Sequence, residues 1–292
     1  MASDLGPSFF KTLDPPESLA PFVRRILITH NNEPVDLVVQ PAPTGYNYLG
    51  WIYAGHAECL IGATRVPIRP GTLHYAGQIQ SKRISMRYRG NYGHVIAETT
   101  ATGFYRLTRV PGIAVRDQGG NFDPEAHPWS EAFLQQAMEL AEDATAEDRF
   151  AFFVEAIEAL VPMACDAPAF VADAAALMEQ EHGLVQVSEV AERLGVGRRH
   201  LAREFSRVVG LTPKAFQLAM QVNRAIALWR SDEKSALTHL AQEAGFYDQA
   251  HFNRTFRRYF NSTPGRVFGE PAEIVFDFLG ASPAERGGES DQ

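Results

Sequence analysis

The chain has 292 residues, enough for two domains, and its 45% hydrophobic content points to globular cores. No apolar run approaches the ~20 residues of a transmembrane helix, and Met-Ala-Ser-Asp-Leu-Gly at the start lacks the basic and apolar regions of a signal peptide. A cytoplasmic protein without a membrane partner is therefore expected, and its two cysteines, Cys59 and Cys165, fit buried thiols in a reducing compartment.

In chain order, residues 1–20 are rich in Pro and Asp and read as a loosely attached arm. Residues 21–165 read as a β-rich sensing or dimerisation domain that ends in helices. Short β-prone runs start at Ile26, Asp36, Tyr48, Ala57, Arg83 and His94. Turn-formers separate them at Asn31-Asn32, Pro41 to Gly45, Pro70-Gly71 and Gly90-Asn91, which suggests a sandwich or a barrel. From Pro128 to about Ala164 the apolar spacing becomes helical, with breaks expected at Ala146-Glu-Asp and Asp166-Ala-Pro168. Residues 121–181 hold 14 Asp and Glu against one basic residue, Arg149. Such acidic helices either cover a sheet edge or form a dimer interface. A helix from about Pro168 to Glu181 carries an interdomain connection over 166–183. An all-α domain over 184–270 follows, then a tail over 271–292. In the tail, Ile274 to Leu279 is expected to pack back on the fold, and Ala281 to Gln292 to be disordered. The fold class is α+β with two domains.

The all-α region contains one unit twice. Val190, Ala191 and Gly195 match Leu240, Ala241 and Gly245 at a shift of 50, and Leu201, Phe205, Val209 and Pro213 match Phe252, Phe256, Phe260 and Pro264 at a shift of 51. Each unit reads as two short helices around a glycine turn, with Ser188 as the N-cap of the first. The second helix of the first unit carries Arg198, Arg199, Arg203 and Arg207. That of the second unit carries Gln249, Asn253, Arg254, Arg257 and Arg258. Arginine reads guanine and glutamine reads adenine by paired hydrogen bonds in the major groove. Lys214 to Arg230 lacks Pro and Gly, so about 18 residues make a connecting helix of roughly 27 Å. From Leu184 to Phe268 there are 13 Lys and Arg and 7 Asp and Glu, a net of +6 within a chain of −8. A basic module on an acidic chain suits a phosphate-binding surface.

These residues resemble the AraC/XylS family of transcriptional regulators, most closely over Gly245 to Pro264. The resemblance implies two helix-turn-helix units on double-stranded DNA. It places Arg199, Ala202 and Arg203 at base-reading positions of the first unit, and Gln249, Ala250, Asn253 and Arg254 at those of the second. Arg257 and Arg258 then lie near phosphates. Gly197 stands where Ser is usual, Ala202 offers only a methyl group, and Asn261 replaces a usual glycine. The β-rich region is similar to the sensing domains of that family, and Thr102 to Pro111 is similar to a recurrent element of one subgroup.

The expected function is a sequence-specific regulator, homodimeric, with a small-molecule effector or a protein partner at its N-terminal domain, and with RNA polymerase as a partner if it activates. The alternative is control by a protein partner instead of a small molecule. Trp51, Tyr53, Tyr75, Tyr88 and Tyr105 are the candidates for lining an apolar effector pocket. Pro70 to His74 partly imitates a metal-binding barrel motif. Its His-x-His partner is missing, and His56, His74 and His94 read as ordinary histidines, so no metal and no cofactor are expected. No Gly-x-Ser-x-Gly, phosphate loop, His-Glu-x-x-His or Cys-x-x-Cys occurs, and no enzyme activity is expected.

Overall fold

The computed structural model describes residues 8–39, 43–80, 84–140, 143–260 and 262–269. The tail expectations, the first seven residues, and Gln40, Pro41, Arg83, Ala141 and Asn261 lie outside these.

The N-terminal half is built on one antiparallel sheet. Its strands are β1 (Ser8–Leu13), β2 (Val23–Val39), β3 (Tyr48–Ile61), β4 (Thr64–Ile68), β5 (Leu73–Ala76), β6 (Ile84–Thr99) and β7 (Gly119–Asn121). The order is β1-β2-β6-β3-β5-β7, with β4 on β3. Six expected runs thus become three long strands. Asn31-Asn32 lies in β2 and Gly90-Asn91 in β6. The pairing slips between Asn31 and Val35 instead of ending there, because Pro34 has no N–H to give the ladder and an irregularity absorbs it. A second slip falls at Ile52, Ala54 and His56 of β3.

These slips decide which side chains go where. Before the β3 slip, Leu49 and Trp51 face one side, with Val95 and Ala97 of β6, in a core also containing Phe104, Phe133 and Phe153. Ile52 faces the other side and joins Ala57, Cys59, Ile68, Ile84 and Tyr88 in a second core. The first face is covered by α1 (Gly103–Thr108), α3 (Pro128–Glu139) and α4 (Ala146–Glu158). Ala146 opens α4 and is no break: Thr145 accepts from Asp148 N and Asp148 caps Thr145 in return. Within the stretch expected to be a loose arm, the described residues from Ser8 onward are held to the fold. Ser8 to Leu13 pair with β2 from Asn31 to Ile26, and Leu19 is fully buried.

After α2 (Gly112–Val115), β7 and the acidic pair come α5 (Ala169–Gln180), α6 (Val187–Arg193), α7 (Arg198–Val209), α8 (Pro213–Ser231), α9 (Leu237–Glu243), α10 (Gln249–Phe260) and α11 (Pro264–Gly269). α8 begins at Pro213, where a missing N–H costs nothing, and Thr212 Oγ1 accepts from Ala215 N at 3.1 Å. Its first half, through Phe216, Ala219 and Met220, completes one core with Leu201 and Phe205. Its second half, through Val222, Ala225 and Ile226, completes another with Phe252 and Phe256. α6 starts at Val187 with Gln186 before it, so Ser188 sits inside the first turn and caps nothing. Among the described residues, no helix is long and apolar enough to cross a membrane.

Candidate functional site

The two helix-turn-helix units superimpose in their bonding as well as in their residues. Val196 N donates to Ala191 O at 3.0 Å and Phe246 N to Ala241 O at 2.9 Å. Gly195 N donates to Glu192 O and Gly245 N to Gln242 O, both at 3.0 Å. Gly195 and Gly245 have φ of 64° and 80°, the left-handed turn that glycine enters at least cost. Val190 and Leu240, Leu201 and Phe252, and Phe205 and Phe256 are buried at equivalent positions. The repeated apolar residues therefore hold α7 and α10 as the second helices of two like units.

What these helices turn to solvent follows from the same periodicity. Arg198, Arg199 and Arg203 are exposed on α7, and Ala202 and Arg207 are half-buried. On α10, Gln249, Ala250, Arg254, Arg257 and Arg258 are exposed, Asn253 is half-buried, and Asp248 Oδ1 caps the helix by accepting from His251 N at 2.5 Å. Sequence reasoning passed over Glu204. Its carboxylate accepts from Arg203 Nε at 3.0 Å and from Arg207 Nε at 2.9 Å, and these hydrogen bonds hold it below the usual carboxylate range. Arg207 also lies 4.8 Å over the Tyr105 ring, which comes from α1 of the sheet region.

The sheet region holds α7 at its far end. α2 packs along α7. Asn47 Nδ2 donates to Val209 O at 3.2 Å and Asn223 Nδ2 to Thr44 O at 2.8 Å. Tyr46 packs edge-on against Phe216, 6.0 Å between centroids, inside the core of the first unit. Arg24 pairs with Glu98 of β6 at 3.3 Å and with Glu179 of α5 at 3.2 Å.

The five aromatic candidates do not share one pocket. Tyr75 and Tyr88 line a cavity of about 70 Å³ under the sheet. The Tyr75 ring packs on Phe104 and Phe122, in the same core as Trp51, whose own ring lies against Phe133 and Phe152, whereas Tyr88 belongs to the core on the opposite face. Tyr53 stacks with His30, and Tyr105 sits at α7. The cavity is completed by residues that sequence reasoning did not offer for it, among them Tyr48, Cys59, His74, Met86 and His94. Val39 of β2 and Gly119 of β7 both contribute, so the sheet curls around it. His74 and His94 meet there, with Nε2 atoms 3.1 Å apart, whereas His56 is exposed elsewhere. Burial pushes the Cys59 thiol up to about 11, and neither cysteine is bonded to the other.

A family model described as "Helix-turn-helix domain" matches residues 190–269. The "HTH-type transcriptional activator RhaS" of Escherichia coli (strain SE11) is 37% identical over 75 residues, 26% of this chain and 27% of that protein. The protein of the same name from Escherichia fergusonii is 33% identical over 78 residues, 27% and 28% of the two chains. The match thus spans about a quarter of the length of these relatives, which are transcriptional activators by name. Among solved structures, ToxT from Vibrio cholerae O395 aligns over 89% of this chain and 97% of its own at 11% identity, with a TM-score of 0.46. The C-terminal domain of AraT, a response regulator from Geobacillus stearothermophilus, covers 36% of this chain and 88% of its own at 18% identity, with a TM-score of 0.34. With its paired units, glycine turns and matched residues, the C-terminal region over 190–269 is a helix-turn-helix domain of the AraC/XylS family.

Proposed function

We propose that this protein is a cytoplasmic, sequence-specific transcriptional regulator without catalytic activity. It lays α7 and α10 in successive major grooves of double-stranded DNA. The observation that carries this reading is the pair of like units on one helix. α8 has 19 residues, which at ~1.5 Å each give roughly 28 Å, close to the ~34 Å between major-groove faces on one side of B-DNA. Arg199, Ala202 and Arg203 read bases from α7, and Gln249, Ala250, Asn253 and Arg254 from α10. Arg198, Arg207, Arg257 and Arg258 lie along phosphates. The sheet region serves dimerisation or signal sensing, and it can act on DNA binding because it packs directly on α7.

Genome-wide mapping of bound DNA, followed by titration of the purified protein on the best site over a range of salt, tests this. The expected site has half-elements about one helical turn apart and a steep loss of affinity with salt. Weak binding with no preferred sequence would overturn it.

A further inference from the structure

The cavity under the sheet is lined by apolar side chains from Cys59, Ile68, Ile79, Ile84, Met86 and Ile96. No Lys, Arg, Asp or Glu is among its described lining residues. Its volume of about 70 Å³ is roughly five times what one water needs, which suits a molecule of about six to nine heavy atoms.

One chain of polar atoms runs into this space. Tyr88 Oη lies 3.4 Å from His94 Nδ1, and His94 Nε2 lies 3.1 Å from His74 Nε2. Each contact holds one proton, whichever way the chain is polarised. In both polarities His74 Nδ1 is the free end: a donor in one, an acceptor in the other. It is buried without a hydrogen-bond partner, on a side chain that lines the cavity. A buried, unmet nitrogen is a destabilising feature that folded proteins rarely keep.

The arrangement depends on Gly50. A Cβ there would stand 2.6 Å from His74 Nε2 and 2.8 Å from His94 Nε2. The missing side chain on β3 is what lets histidines from β5 and β6 meet across it. Burial also keeps both imidazoles uncharged. An anion entering would lose its hydration and find no counter-charge among the described lining residues.

We propose that this cavity binds a small, uncharged, mostly apolar molecule with one hydrogen-bonding group, such as a phenol, and that the group meets His74 Nδ1. The proposal rests on the reading of the sheet region as a signal-sensing unit. Its route to DNA is short: Ala76 and Gly77 line the cavity, and the next residue, Gln78, donates from its backbone to Asn47 Oδ1, while Asn47 holds the end of α7.

The test uses three compounds of similar size on the full chain at about pH 7.5, where both imidazoles are neutral. They are 4-methylphenol, toluene and benzoate, followed by thermal shift and calorimetry. The phenol should stabilise the protein saturably, with binding detectable at or below about 1 mM. Toluene should bind about three- to tenfold more weakly, for want of the hydrogen bond. Benzoate should produce no shift. His74→Leu should erase the difference between phenol and toluene, and Met86→Trp, which puts a larger side chain into the cavity lining, should abolish both. Benzoate binding as tightly as the phenol, or no saturable binding of any of the three to the wild-type chain, would overturn the proposal; neither result depends on a variant folding. DNA affinity is read separately, with and without the phenol. Saturable binding with unchanged DNA affinity would keep the cavity assignment and remove the sensing role.

Discussion

Asn47 ties the sheet to the last residue of α7: its Nδ2 donates to Val209 O at 3.2 Å while its Oδ1 accepts from Gln78 N at 2.9 Å. The side chain is 1% exposed. Asn47→Ala would leave two buried backbone groups without partners, at about 1–3 kcal/mol each. The urea midpoint should fall accordingly. DNA binding by the folded fraction should also lose any dependence on what happens in the sheet region. A midpoint equal to the wild type's would mean that water replaces the amide, and that this contact does not couple the two regions.

Glu204 sits between two arginines on the helix that is to meet phosphates, and it bonds to both. Its negative charge offsets part of their positive charge on this face of α7. Glu204→Gln keeps the shape and removes the negative charge. Affinity for DNA should rise about three- to tenfold at low salt, and the gain should shrink as salt screens it. Binding isotherms at several salt concentrations check this. An affinity unchanged at every salt would place α7 away from the phosphates.

Burial brings the His74 imidazole down to about 3, and holds His94 well below its ordinary 6.5 by burial and by the neighbouring His74. In the unfolded chain these rings take up protons from about pH 6.5 downward. The unfolded state then binds more protons than the folded one. Stability is therefore complete above that range and falls as pH drops through it. Between about pH 7.5 and 5.5, one such histidine removes about 1.4 kcal/mol. Urea midpoints at the two pH values measure the loss, and imidazole nitrogen resonances should show both rings still neutral at the lower pH. Two rings titrating near 6.5 would refute the buried, neutral pair.

The helical half was legible because its information is local and given twice. Leu201 with Phe252, and Phe205 with Phe256, repeat in register, and a helix places residues at such spacing on one face whatever else the chain does. The sheet half was less legible because register is not local. Nothing near Asn31 or Gly90 says that a strand continues through it; the partner strand decides that. Ser8 to Leu13 looked like an arm because an edge strand's partner lies some twenty residues away in sequence. Trp51 and Tyr88 looked alike as aromatic candidates, yet the β3 slip and the alternation of side chains put them on opposite faces. His74 and His94 stand on β5 and β6, which flank β3. Only the fold, through Gly50, makes them neighbours.

Phe205 and Phe256 are equivalent in the repeat, and both are fully buried, but their surroundings differ. Phe205 shares its core with Tyr46 and Ala101 of the sheet region, and its ring lies 5.3 Å from Phe216. Phe256 shares its core with Phe252, Phe260 and Phe268 of the second unit only, against the far half of α8. Either change to alanine should cost about 3–5 kcal/mol by loss of burial and the cavity left behind. The consequences should separate. In Phe256→Ala, hydrogen exchange should quicken over α9, α10 and the end of α8, with β3 and β6 still protected, because local unfolding is confined to the core that was emptied. In Phe205→Ala, it should quicken over α6, α7 and the first half of α8, and also around Tyr46 and Ala101, where the sheet region enters the same core. Identical exchange patterns for the two variants would mean that the units unfold as one body, and that α8 does not divide them into separate cores.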